Sequence, residues 1–268
     1  FVPRTSHFAL SCLPPYFPAM QIKALPGFRD FYPDEMALRA HVFRAWREVA
    51  YRYGFEEYDG PPLEPLELYT AKSGAEIVGQ LYNFEDKGER QVSLRPEMTP
   101  TLARMVAARA NGLKKPIRWF ATPQLFRYER QQRGRLREHF QLNCDLIGEP
   151  GPLADAEVIA LAVDVMRTLG LSEQDVRVRL SDRRVLRALL LGAGITEDQL
   201  TAAYQAVDKL ERMPAEALEA QLESAGITTE VGERLRAVAG LRGLAAVEAA
   251  LAAVPGGPEA GAGLRSVV

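Results

Sequence analysis

From Asp34 to Tyr53 the apolar residues Met36, Leu38, Val42, Phe43, Trp46, Val49 and Ala50 return every three or four positions. That period predicts an amphipathic helix, opened by Pro33 and Asp34 and stopped at Gly54. GFEEYDGPPLEPLELY then reads as an extended segment ending at Pro61-Pro62. LYNFEDKGERQVSLRPE reads as a hairpin whose two short runs join at Asp86-Lys87-Gly88. A helix is predicted from Thr99 to Ala110, opened by the Thr99-Pro100 pair. Three strand-like runs follow in IRWFATPQLFRYER and EHFQLNCDLIGE, with QQRGRLR as the loop between the last two. Ala154–Leu169 repeats the helical period, and Asp175–Leu180 alternates strictly, like a half-buried strand. From Ser181 the text becomes rich in alanine, leucine, glutamate and arginine, with Thr196 as a helix cap and Gly226 and Gly240 as helix ends. No internal repeat is present. The pattern predicts an α+β protein: an antiparallel sheet flanked by helices over residues 20–180, then a small helical module over 181–268.

Composition narrows what this fold can do. Of 268 residues, 47% are hydrophobic and 25% charged, and the formal net charge is -2. Such a balance supports a sizeable core and argues against bulk electrostatic binding to nucleic acid or membranes. No apolar run approaches a membrane span. Two cysteines, Cys12 and Cys144, make neither a disulfide framework nor a metal cluster, which fits the cytoplasm. Residues 1–19 hold prolines and scattered aromatics without a period, and lack the basic start and apolar stretch of a signal peptide. They read as a leader outside the fold, with Met20 as the expected start.

Against this near-neutral background, FRYERQQRGRLREHF (Phe126–Phe140) places five arginines within eleven residues. The phosphate-loop and dinucleotide fingerprints are absent, as are a serine elbow and paired histidine ligands. Arg127 and Glu129, two apart on a strand, face the same way, and Arg133, Arg135 and Arg137 alternate through and after the Gly134 loop. A strand-held guanidinium offers a rigid fork for phosphate oxygens, while a carboxylate beside it accepts from an adenine amino group. This combination suits one nucleoside triphosphate better than a polynucleotide. A solvated hairpin tip with Arg–Glu pairs would carry the same letters. In SLRPEMT, Glu97 and Thr99 at a strand end can hold an ammonium group, or Glu97 can cap the helix that follows. Gln141 and Asp145, four apart on the returning strand, lie on one face and can line the same cavity.

LRPEMTPTLAR, FRYER, the RGR loop, REHFQLNCD and ADAEVIALA, in that order, resemble histidyl-tRNA synthetase, a class II aminoacyl-tRNA synthetase. The resemblance runs nearly continuously from Pro26 to about Leu180, and FRxER with RGRxR and a following Gln-x-x-x-Asp/Glu is specific within class II. It implies ATP-dependent activation of histidine and transfer to tRNA, with Mg2+ sharing the phosphate charge. Arg127 then resembles the arginine on the α-phosphate, Glu129 the contact to the adenine amino group, and Arg135 the contact to the terminal phosphates. Glu97, Thr99 and Gln141 resemble the holders of the substrate α-amino group, and Asp145 the carboxylate facing the imidazole. The Asp34–Tyr53 helix with GPP resembles the family's first motif, a homodimer interface.

Three departures qualify the resemblance. His139 stands where the family has an adenine-stacking phenylalanine, with Phe140 expected to face the other way. Gln131 replaces a proline. The family's Arg-Gly-Leu-x-Tyr-Tyr histidine-recognition run, its third motif with a second ATP-binding arginine, and its anticodon-binding domain have no counterpart here, so an incomplete catalytic chain is expected. Residues 181–268 lie where the family carries a helical insertion touching tRNA, although a plain helical spacer fits them as well. Two other functions share this framework: a histidyl-tRNA-synthetase-like regulatory subunit of ATP phosphoribosyltransferase, and a non-catalytic paralogue.

Overall fold

The structure, a computed structural model, describes residues 23–73, 75–128, 134–210 and 213–268. Along the chain run α1 (Pro33–Arg52), β1 (Glu56–Glu57), β2 (Leu63–Pro65), α2 (Glu67–Ser73), β3 (Asn83–Glu85), β4 (Gln91–Leu94) and α3 (Thr99–Arg109). Then come β5 (Ile117–Ala121), β6 (Gln124–Phe126), β7 (Glu138–Phe140), β8 (Asn143–Ile147) and α4 (Pro152–Thr168). The remainder is helical: α5 (Arg183–Gly192), α6 (Leu200–Lys209), α7 (Ala215–Ser224), α8 (Thr229–Ala239), α9 (Leu244–Ala252), α10 (Gly257–Ala260) and α11 (Ala262–Val267). These elements form two compact units built from alternating stretches of chain. One holds the described residues up to Ala40 with Gly60–Ala108 and Thr122–Gln141. The other holds His41–Asp59, Arg109–Ala121 and Leu142–Val268.

The first unit contains two small antiparallel sheets. One has the order β2-β4-β3, with Phe84 opposite Val92 and Glu64 opposite Ser93. Its β3–β4 hairpin closes as the sequence predicts, because the Asp86 carboxylate accepts from the Gly88 and Arg90 amides and fixes the turn. The other is the two-stranded ribbon β6–β7. Glu64 is buried, and its Oε1 accepts from Thr101 Oγ1 at 3.1 Å and from the Arg104 guanidinium at 2.7 Å. This bond draws α3 onto β2. Gly60 makes the approach possible, since a Cβ there would lie 2.4 Å from the Thr101 methyl carbon.

The second unit has a three-stranded sheet in the order β1-β5-β8, parallel between β1 and β5 and antiparallel between β5 and β8. Its core joins Val49 and Ala50 of α1 to Phe55, Phe120 and the α4 residues Leu161 and Val165. The α1 helix has its expected bounds, with Asp34 and Glu35 in the first turn and Arg52 in the last, both favourable to the helix dipole. The helices α5–α9 close over two aliphatic clusters, one around Leu190, Leu218 and Leu235, the other around Val185, Leu189 and Leu251. Caps punctuate them. Asp182 accepts from the Arg184 and Val185 amides, Thr228 accepts from Val231, and Gly226 takes a φ of 70° past the end of α7.

Three expectations change. Asp175–Leu180 is not a strand: it lies in none of the three sheets, and Val178 is 50% exposed. Alternation marks a wet and a dry face, but a strand exists only through pairing, and no described strand borders this segment. The extended segment does not end at Pro61-Pro62: Leu63–Pro65 forms β2, after which Tyr69 and Thr70 donate to the Leu66 carbonyl and start α2. EHFQLNCDLIGE is two strands in different sheets, β7 paired with β6 and β8 paired with β5, with a break between Phe140 and Asn143.

Candidate active site

The ribbon pairs Gln124 with Phe140, Leu125 with His139 and Phe126 with Glu138. Opposite residues share a face and successive residues alternate. Gln124, Phe126, Glu138 and Phe140 therefore form one side, while Leu125, His139 and, by continuation, Arg127 form the other.

The first side anchors the ribbon. Glu138, 3% exposed, accepts from Gln124 Nε2 at 2.6 Å, from the Arg29 amide at 3.1 Å and from Arg29 Nε at 3.3 Å. Phe140 meets the Phe31 ring edge-on at 5.9 Å, and the Arg39 guanidinium lies 4.8 Å from its centroid. Phe140 thus faces away from His139, as alternation requires. The loop's two ends are fixed by backbone bonds: Arg127 N to the Arg137 carbonyl, Tyr128 N to Gln80, and Arg137 N to Gly27. The Arg137 guanidinium lies 4.3 Å over the Tyr128 ring.

On the other side, Arg127 Nε donates to the Pro96 carbonyl at 3.2 Å. The Phe126 amide donates to the Arg95 carbonyl at 2.9 Å, so the ribbon edge lies along the Arg95–Glu97 segment. This brings the Arg127 guanidinium to the residue preceding Glu97. Glu97 is half-buried, and Thr99 is exposed as the first residue of α3. Arg135 is exposed just after Gly134, whose φ of 78° turns the loop. Gln141 is exposed, its amide 3.3 Å from the Pro123 carbonyl. Glu129, Gln131 and Arg133 lie outside the described residues.

Asp145 belongs to the second unit, on β8 opposite Trp119. Burial raises its carboxyl pKa above the ordinary value. Its neighbour Cys144 is pushed up to about 12, by burial first and by the Asp145 charge second. The returning strand breaks between Phe140 and Asn143, so the four-residue spacing from Gln141 to Asp145 no longer fixes a common face. Among the described residues no group of three or more His, Cys, Asp or Glu is placed to hold a metal ion. A cavity of about 810 Å³ in the second unit, between the Arg177–Asp182 segment and helices including α5 and α9, contains none of the candidate residues.

Sequence reasoning misses Arg95, Gln124 and Glu138. Arginine and glutamate ordinarily lie at the surface, yet Arg95 and Glu138 are both buried. The signal that places Arg95 is the run of backbone carbonyls around it, which side-chain patterns do not reveal.

A mixed β fold with flanking helices, carrying an arginine-bearing antiparallel ribbon beside a Pro-Glu turn, is the fold of the class II aminoacyl-tRNA synthetases. Residues 27–267 match the family model for histidyl-tRNA synthetase, and the chain belongs to that family. It is 48% identical over 235 residues to the histidine–tRNA ligase of Opitutus terrae, covering 87% of this chain and 54% of that protein. It is also 48% identical over 206 residues to the corresponding ligase of Natronomonas pharaonis, covering 77% and 48%. The fold recurs in the histidyl-tRNA synthetase of Nostoc sp. PCC 7120, with a TM-score of 0.78 at 24% identity over 92% of this chain and 57% of that chain. It recurs in an ATP phosphoribosyltransferase regulatory subunit/histidyl-tRNA synthetase from Bacillus halodurans, with a TM-score of 0.76 at 24% identity over 93% and 64%. The chain spans about half the length of the curated relatives it matches. No helix among the described residues is long and apolar enough to cross a membrane.

Proposed function

We propose that this chain supplies part of a cytoplasmic site that activates histidine with ATP for transfer to tRNA. Residues 20–180 form the catalytic core and 181–268 the helical insertion beside the tRNA. The observation that carries this reading is the Arg127 guanidinium held against the Pro96 carbonyl next to Glu97. A guanidinium tethered at Nε beside a turn that can hold an ammonium group suits a reaction that joins an amino acid to a phosphate. The histidine carboxylate attacks the α-phosphorus, pyrophosphate leaves, and the adenylate then passes its acyl group to a ribose hydroxyl of tRNA. Arg127 stabilises charge on the α-phosphate. Arg135 meets the terminal phosphates, Glu129 the adenine amino group, and His139 stacks on the adenine. Glu97, Thr99 and Gln141 hold the α-amino group, and Asp145 accepts from the imidazole N–H. Mg2+ would share the charge of the nucleotide phosphates. Arg127 and Arg135 favour this reading over a purely regulatory subunit, which has no use for arginines aimed at triphosphate.

Calorimetry tests it. Arg127→Ala should cost about 1.5–3 kcal/mol of ATP binding through the lost charge-assisted bond. Arg127→Lys should recover little, because a point charge does not replace a fork. Unchanged ATP affinity in a folded Arg127→Ala protein would remove the phosphate role. The same reading makes the chain a homodimer through α1 and the segment to Pro62. In support, Leu38 is 67% exposed, and Tyr32 and Met36 are also exposed. Sedimentation velocity should show a dimer at micromolar concentration, and a strict monomer would count against it.

A further inference from the structure

Arg95 is 5% exposed. Its Nε donates to the Gln124 carbonyl at 3.1 Å and its NH1 to the Gly60 carbonyl at 2.8 Å, with the Met98 sulfur 3.8 Å from NH1. Its backbone amide donates to Pro62, and its own carbonyl accepts from Phe126, both at 2.9 Å. One residue thus fastens three stretches of chain: Gly60–Pro62, the Pro96–Glu97 turn and β6.

We propose that Arg95 is a positioning residue for nucleotide recognition, which aims the Arg127 guanidinium by fixing both ends of the Arg127–Pro96 hydrogen bond. The inference rests on Arg127 being the phosphate-binding arginine. The acceptor end is the Pro96 carbonyl, covalently attached to Arg95 and held through the Arg95 bonds to Gly60 and Pro62. The donor end is Arg127, which extends from a strand that Arg95 grips at Gln124 and Phe126. An arginine secured at Nε presents its two terminal nitrogens to a ligand as a pair, the geometry a phosphate accepts. Without the tether, a long side chain loses rotamer freedom only when the nucleotide binds, and affinity falls by that amount. Burying a guanidinium carries a heavy desolvation cost. An aliphatic residue would fill the same space without it. What the aliphatic residue lacks is two donors diverging from one planar group, the property that lets Arg95 reach Gln124 and Gly60 together.

The test is a double-mutant cycle on the full chain, with ATP affinity read by calorimetry and folding by thermal unfolding. Arg95→Lys keeps charge and length but cannot hold both carbonyls in the same geometry. It should weaken ATP binding about tenfold when Arg127 is present. In the Arg127→Ala background it should cause almost no further loss, because a residue that acts through Arg127 has nothing left to aim. Losses that add, or an unchanged ATP affinity in Arg95→Lys, overturn the proposal while a loss in Arg127→Ala leaves the nucleotide site standing. If Arg127→Ala itself has no effect, both readings fall. Arg95→Gln serves as a second variant. Loss of a cooperative unfolding transition in both Arg95 variants would make Arg95 a folding residue and overturn the positioning role.

Discussion

The helices from Val185 to Leu264 close over aliphatic side chains such as Leu190, Ile195, Leu218, Ile227 and Leu235. The other unit differs. Every buried polar or charged residue among those described, Glu64, Ser93, Arg95, Thr101 and Glu138, lies in the unit that carries the ribbon. Buried polar groups stabilise nothing unless their partners are in place, and leaving one unpaired is costly. They do specify direction, however, because a hydrogen bond fixes an angle that aliphatic contact leaves loose. The helical region needs only shape and volume to fold. On the proposed reading the ribbon unit must also point Arg127, and the Glu138 and Arg95 bonds provide the directions. On the proposed reading, polar burial, more than exposed charge, marks the region that holds the nucleotide.

The largest expected effect tests whether that unit suffices. A polypeptide limited to residues 20–268 should show no measurable histidine-dependent pyrophosphate exchange. The family's second ATP-binding arginine and histidine-recognition run have no counterpart within those residues. One preorganised donor is worth about 10²–10³ in rate, and positioning of the substrate is worth more. Exchange at the rate of a longer relative would break the comparison, since the aliphatic helices would then have to carry chemistry. Next in size, Leu235→Ala should lower stability by about 2–5 kcal/mol in denaturant unfolding, through a cavity in the helical core. ATP affinity should be unchanged in the protein that remains folded. A parallel loss of affinity would show that the two regions are not independent.

The smallest effect concerns Asp145, the polar exception on the sheet of the second unit. Burial raises its folded pKa, so the native state binds its proton more tightly than the unfolded chain does. The penalty is absent below the ordinary carboxylate pKa and appears as pH rises through the folded value. Asp145→Asn should therefore raise the melting temperature modestly at neutral pH. The gain should vanish in acid below the ordinary aspartate pKa, while histidine binding weakens at neutral pH. A gain of equal size at all pH values would point to packing instead of charge.

Much of this was legible in the sequence, for identifiable reasons. The α1 helix showed because its apolar residues keep one period over its whole length and Gly54 ends it. The hairpin at Asp86-Lys87-Gly88 showed because the aspartate and glycine carry the turn's chemistry themselves. Arg127 stood out as a strand-held arginine within a charge run, but its tether did not, since the acceptor is a backbone carbonyl. Glu138, between Arg137 and His139, looked like one more solvated charge. The break between Phe140 and Asn143 was hidden, because no proline or glycine marks it in EHFQLNCDLIGE. Asp175–Leu180 failed for a different reason: alternation describes a strand's faces but says nothing of its neighbour.

The contact between Gly60 and Thr101 sets an order on how this sequence can drift. A side chain at residue 60 would press to 2.4 Å on the Thr101 methyl, while the hydroxyl of the same threonine is committed to Glu64. Serine at 101 keeps that hydroxyl and removes the methyl. The path that begins with Thr101→Ser and continues to Gly60→Ala stays open at each step. The reverse path begins with a collision. The two positions, forty-one residues apart, therefore share one history: the first change decides whether the second is permitted.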